Sequence, residues 1–342
     1  MNRPRLDLAA LVRLTELADY IVPFALRVAA DLNVADQLSA GPRTVEELSR
    51  VSGTDAGALG RLLRCLARKG VFAEVEPGRF ALTPMAELLT SHHALSLRDA
   101  FPLIAADLQA WARVDHSLRT GQAAFPSVHG KLYWEHMQDH PEASRRLDRA
   151  VESSNRLIVR MFGRLYDWNR IHLLVDVGAG NGSFLAGLLA RHPGMRGVVF
   201  DQPHVLGETA RVLDEAGVQD RCEVVAGSFF EKIPENGDAY LLKTILHDWD
   251  DQHASAILRV VRDAISARGC LLVIEALLDP GDRYDIGKLL DLNSFVLAGG
   301  VNRTAEQYES LFCASGFRLQ RIVRTTNALA LLEASPSPKD LS

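Results

Sequence analysis

The chain has 342 residues and a formal net charge of −5, which argues against a general binder of nucleic acid or of an anionic membrane surface. The length allows two domains, and no apolar run reaches the roughly 18 residues needed to span a bilayer. The four cysteines (Cys65, Cys222, Cys270 and Cys313) lie far apart with no C-x-x-C pair. Neither a zinc site nor a disulfide framework is expected, and a reducing cytoplasm is the default location.

The N-terminal stretch carries scattered charges, unlike a signal peptide. Leu11, Leu14, Leu17, Ala18 and Ile21 keep a helical period, as do Ala25, Val28, Ala29 and Leu32. Thr44 with Glu47 predicts a capping box. Val45, Leu48 and Val51 follow as one short helix. Leu59, Leu62, Leu63, Leu66 and Ala67 form a second, ending at Gly70. Two short strands flank Pro77-Gly78. Helix, helix and hairpin make a winged-helix pattern. Its second helix carries Arg61, Arg64, Arg68 and Lys69, but the first hundred residues hold twelve acidic and twelve basic side chains. Without a basic footprint, a dimerisation module is favoured over a DNA reader.

Residues 101–170 read as a helical connector rich in aromatics: Phe101, Trp111, Phe125, Tyr133, Trp134, Phe162, Tyr166 and Trp168. These fill cores or form the wall and lid of a pocket for a flat substrate. From residue 171 to about 335 the period changes. LLVDVG, GVVFD, CEVVAG, DAYLLK and GCLLVIEA are short apolar runs separated by helical stretches, which predicts an α/β unit whose parallel sheet is covered on both faces. Helices are expected near 285–297 and from Thr304, capped with Gln307, to Ser315. A closing hairpin turns at Thr326-Asn327 and places one antiparallel strand at the sheet edge. The tail from Ala334 reads as frayed.

The run LLVDVGAGNGSF ends in Asp176 and then Gly178, Gly180 and Gly182. A phosphate-binding P-loop needs Lys-Ser/Thr after its last glycine, and Ser183-Phe184 stands there instead. The G-x-G-x-G spacing also fits the dinucleotide fingerprint poorly. Asp201 ends the second strand nineteen residues after Gly182, where a carboxylate can accept from both ribose hydroxyls. Asp176 before the loop suits a cation and not a pyrophosphate. A nucleoside carrying positive charge near its ribose is called for, and S-adenosylmethionine (SAM) has that chemistry.

DVGAGNGSF, FDQPHV, GSFF, LLKTILHDWDD and LLDLNSFVLAGGVNRT behind a winged helix resemble the SAM-dependent O-methyltransferases of the plant caffeate and bacterial polyketide-tailoring type, over about residues 15–333. The resemblance implies a Rossmann-like seven-stranded methyltransferase sheet with an N-terminal dimerisation domain, and a homodimer. It implies that Gly178 and Gly180 contact the methionine part of SAM and that Asp201, with Gln202 beside it, holds the ribose. Ser228 and Phe229 border the adenine, with Ser228 replacing the aspartate common in the family, and Lys243 and Trp249 also border SAM. His247 is the implied general base and Glu275 its orienting acid. Asn302 in Gly300–Thr304 stands where a second orienting acid is usual.

A phenol near pKa 10 and an ordinary histidine near 6.5 differ by about 5 kcal/mol in proton affinity. Glu275 and Asp248 are the groups that can stabilise imidazolium, although Asp248 also reads as a helix N-cap. Asn293, with Trp111 and Asn302, is expected on the substrate side, ahead of Asp291. The leading reading is methylation of a phenolic hydroxyl on a small aromatic, polyketide-like metabolite. The alternatives are a SAM-binding tailoring enzyme that hydroxylates, decarboxylates or cyclises, and a winged-helix regulator.

Overall fold

The computed structural model describes residues 7–282, 285–326 and 329–338. The chain divides into two compact units, Met1–Leu103 and Ile104–Ser342. Among the described residues no helix is long and apolar enough to cross a membrane.

In the first unit the first periodic run ends earlier than Ile21, which opens the second helix instead. Helices Leu8–Leu17 and Ile21–Asp31 are separate, because the Asp19 carboxylate accepts from the Ile21 and Val22 amides at 2.8 and 3.0 Å and starts the second one. The first helix buries nothing within this chain, and Leu14 and Leu17 are 68% and 77% exposed.

The Thr44–Glu47 capping box forms and opens helix Val45–Ser52, where Val45 and Leu48 are buried and Val51 faces solvent. Helix Ala56–Arg68 sets Leu59, Leu63 and Leu66 against Phe72 and Phe80. Each fully buried large apolar side chain contributes roughly 1.5–3 kcal/mol. The hairpin β2 (Phe72–Glu76) and β3 (Arg79–Leu82) turns at Gly78, whose φ is +75°. A third strand, β1 (Arg43–Thr44), pairs with β3. Two residues are too few to show a period, so sequence gave no sign of it.

In the second unit, β4 (Leu173–Val177), β5 (Arg196–Asp201), β6 (Cys222–Ala226), β7 (Ala239–Lys243), β8 (Cys270–Ala276), β9 (Phe317–Arg324) and β10 (Leu329–Pro336) form one sheet in the order β6-β5-β4-β7-β8-β10-β9. Alternation along each strand feeds two cores. Leu174, Leu241, Leu272 and Ile274 face one, with Phe184, Leu185 and Leu188. Val175, Val177, Tyr240, Leu242 and Val273 face the other.

Three expectations need correction. β6 is an edge strand with a largely open surface, Val224 being 44% exposed, so coverage on both faces fails there. The antiparallel strand is not at the edge: β10 lies between β8 and β9 and runs antiparallel to both. The tail is ordered through Pro336, because Ala334 pairs with Leu271 and Leu319. The predicted turn residue Asn327 lies outside the described residues.

Most of the connector aromatics are core. Phe162, Tyr166 and Trp168 pack under the sheet, and the Trp168 indole donates to the Phe162 carbonyl at 2.9 Å. Phe125 and Tyr133 are buried in a separate cluster with Val296 and Leu297, and Phe101 is exposed. The helices from Ala105 through the long Pro141–Leu165 belong to the same unit as the sheet.

Candidate active site

The site lies at the carboxyl ends of β4, β5 and β7, where ligands of open α/β sheets bind. After β4 the chain turns through Gly178 and Gly180 at φ +73° and +61°. A Cβ on Gly178 would come 2.5 Å from Cδ1 of Ile245, and the positive φ by itself strains any other residue there. Gly180 has open space where a Cβ would project, and its amide donates to Asp201 at 2.8 Å. The other Asp201 oxygen accepts from the Gln202 amide at 2.7 Å. Burial lifts the Asp201 carboxyl to about 6, against these two bonds.

A cavity opens over this loop. Gly178, Gly180, Asp201, Gln202, Phe229, Lys243, Asp248 and Trp249 line it from the sheet side, and Trp134, Met137, Gln138, Leu147, Asp148 and Val151 from the helices. The Gln138 amide donates to Gln202 at 2.6 Å, joining the two walls. Phe229 meets Trp249 edge to face at 6.2 Å, an apolar slot suited to a flat ring.

Two expected cofactor residues are not in the wall. Asp176 is 1% exposed and neither carboxylate oxygen has a partner. Strand alternation puts it on the Leu174 face, beneath the loop, where its charge acts on Lys243 and burial raises its carboxyl to about 7. Lys243 is itself buried, which lowers its ammonium pKa against the pull of Asp176 and Glu275. Ser228 is also outside the wall; its hydroxyl accepts from the Phe230 amide at 3.2 Å.

Beside the cavity, the turn Leu246–Asp248 is held by Glu275, fully buried on β8. One Glu275 oxygen accepts from the amides of Ile245, Leu246 and His247 at 3.0, 2.8 and 3.3 Å. The other meets His247 Nδ1 at 2.7 Å. His247 Nε2 lies 3.3 Å from Asp248. Burial disfavours the charged ring, but Asp248 and Glu275 outweigh it and lift the imidazole to about 9. Asp248 is pushed up to about 6 by burial, against the pull of His247. It is not a helix cap: Asp250 caps helix Asp251–Ala264.

The substrate-side expectations are altered. The Asn293 carbonyl accepts from the Trp111 indole at 2.9 Å, so these two occupy each other outside the cavity wall. Asn302 is 3% exposed, with its amide nitrogen unpartnered. Its backbone amide donates to Asp291 at 2.9 Å. The second carboxylate beside the imidazole is Asp248.

Sequence reading missed Asp148, which faces the cavity from helix Pro141–Leu165. Burial and the nearby Asp201 charge raise its carboxyl to about 6. The signal was present: Ser144, Leu147, Asp148 and Val151 share one helix face.

Residues 111–318 match the family model of the O-methyltransferase domain, and residues 15–92 that of the O-methyltransferase dimerisation domain. The chain is 40% identical to the phenazine O-methyltransferase PhzM of Lysobacter antibioticus over 95% of this chain and 96% of that one. The crystal structure of LaPhzM superposes with a TM-score of 0.91 at 40% identity, covering 97% of this chain and 100% of the other. NcsB1, an O-methyltransferase from neocarzinostatin biosynthesis solved with SAM and 2-hydroxy-5-methyl naphthoic acid, gives 0.79 at 32% identity, covering 98% and 100%. Asp148 and Asp201 in the cavity wall and the small-residue loop fit a cationic nucleoside, and the chain belongs to the S-adenosylmethionine-dependent O-methyltransferases, an α/β catalytic unit joined to the family's dimerisation domain.

Proposed function

We propose that the protein methylates a phenolic hydroxyl of an aromatic, polyketide-like secondary metabolite, with His247 as general base. The observation that carries this reading is the His247 imidazole held by Glu275 beside a cavity walled by Asp201, Asp248 and Trp249. SAM supplies a methyl group on a positively charged sulfur. Asp201 receives the ribose hydroxyls, and Gly180 leaves room above the loop. Asp148, Lys243 and Gln202 complete the polar wall, while Phe229 and Trp249 take the adenine side.

Glu275 fixes the ring through Nδ1, which directs Nε2 outward as the basic atom. A substrate hydroxyl enters at that nitrogen beside Asp248, which stays 3.3 Å away in the free protein, and gives up its proton there. The imidazolium that forms is stabilised by both carboxylates. Trp111 and Asn293 brace the helix Ile286–Ala298 on the substrate side.

The sign of the pH dependence follows. With the imidazole at about 9, the free base is the minor form at neutral pH, roughly one molecule in a hundred at pH 7. The kcat/KM profile therefore rises about tenfold per pH unit from 7 and levels near 9. Glu275→Gln removes one stabilising charge and moves the midpoint down. A flat profile from pH 6 to 9 sinks the base assignment.

The exposed apolar face of Leu11, Leu14 and Leu17 supports a homodimer through the first unit. Leu14→Glu with Leu17→Glu gives a monomer by light scattering coupled to size exclusion, whereas a face left to solvent predicts no change.

The test of activity is incubation with methyl-labelled SAM and a panel of hydroxylated phenazines, naphthoates and anthracyclines, read by mass spectrometry. One labelled methyl on oxygen is expected. A product that gains oxygen or loses carbon dioxide without consuming SAM overturns the proposal.

A further inference from the structure

Arg303 is 1% exposed, and its guanidinium is fully engaged. Nη1 donates to the carbonyls of Leu246 and Val301 at 2.8 and 3.0 Å, Nη2 to that of Trp249 at 2.8 Å, and Nε to Asp251 at 2.9 Å. Leu246 and Trp249 are the residues on either side of His247-Asp248. Tyr308 lies under the guanidinium, 5.9 Å from ring centre to Cζ.

The Arg303 backbone is tied elsewhere. It bridges Leu277 in parallel, and its carbonyl accepts from the Leu278 amide at 3.1 Å. Leu277 lies two residues past Glu275 on the same extended segment. Arg303 thus joins the segment bearing the orienting acid to the turn bearing the imidazole. Gly300 adds a second contact, since a Cβ there would lie 2.1 Å from the His247 carbonyl oxygen and 2.8 Å from the Asp248 Cα.

We propose that Arg303 is a positioning residue for methyl transfer: it pins the turn around His247 so that the imidazole stays between Glu275 and Asp248. This rests on His247 being the base. The fork geometry matters, because one guanidinium reaches three carbonyls and a carboxylate, and an ammonium cannot match those directions. The charged groups acting on His247 are Asp248, Glu275 and Lys243. Arg303 faces one carboxylate, that of Asp251, and the neutral ring of Tyr308.

The experiment compares Arg303→Lys and Asp251→Ala with the parent full-length protein, using steady-state kinetics, SAM calorimetry and the His247 titration followed by NMR of labelled histidine. Asp251 is exposed, so its variant keeps the fold if Arg303→Lys does not. Arg303→Lys lowers kcat on the order of 100-fold, since a small misplacement costs that much. The SAM Kd stays within about threefold, and the His247 midpoint moves from about 9 toward the ordinary value near 6.5. Asp251→Ala shifts both in the same direction by less. If the folded variants keep the parent kcat and midpoint and lose only thermal stability, Arg303 is merely structural and the proposal falls. A parallel His247→Ala control separates the two ideas: full activity there defeats the base assignment, whereas loss there with an unchanged Arg303→Lys enzyme defeats only the present inference.

Discussion

Alanine in place of His247 lowers turnover by about 10²–10⁴-fold, the usual contribution of a general base, while the SAM Kd measured by calorimetry moves little. The asymmetry follows from geometry, because the imidazole is not part of the cavity wall that receives the cofactor. An ordinary histidine would face a climb of about 5 kcal/mol to take a proton from a phenol. Lifted to about 9 by Asp248 and Glu275, the ring stands only about 1 unit below a phenol near 10, roughly 1.4 kcal/mol. The carboxylates thus do most of the thermodynamic work, and the ring carries the proton. Activity persists in the variant because proximity and alignment supply roughly 7–11 kcal/mol of the barrier reduction in favourable cases. Turnover within a few-fold of the parent would mean that the reaction runs on proximity alone.

The second large effect is on binding. Asp201→Ala weakens SAM binding by roughly 100-fold or more, since two hydrogen bonds to a charged acceptor contribute about 1.5–3 kcal/mol each. The loss has an internal component too. Asp201 accepts from Gly180 at 2.8 Å, so the substitution also frees the loop that forms the floor of the cavity. Asp201→Asn separates the two parts, because an amide oxygen still accepts one bond without bringing the charge. The asparagine enzyme therefore binds SAM more tightly than the alanine enzyme and less tightly than the parent. An unchanged Kd in both would undo the cofactor assignment at this carboxylate.

The parallel part of the sheet was legible because β4–β8 are short β-rich runs separated by helical stretches. The His247–Glu275 pair was legible only through resemblance, since 28 positions separate them and no spacing rule joins them. Three features escaped for physical reasons. Asp176 looked like a cavity residue because it adjoins the glycines, but alternation along β4 turns it under the loop. Asn293 reads as a substrate contact, but its amide oxygen is taken by the Trp111 indole, 182 positions away. Arg303 stands next to Asn302 in Gly300–Thr304 with nothing in its sequence neighbours to mark it. A buried arginine shows its role only when its acceptors are known, and these are backbone carbonyls, which carry no sequence signature.

The order of strands in the sheet bears on how the molecule is made. Among the described residues β10 is the last strand, yet it lies between β8 and β9. Until residues 329–336 leave the ribosome, β8 carries Glu275 with one side of its ladder unmet. The nascent protein therefore passes through a stage in which its most chemically important strand is an open template for pairing with a neighbour. Shelter comes with residues 329–336, whose pairing with β8 covers that edge.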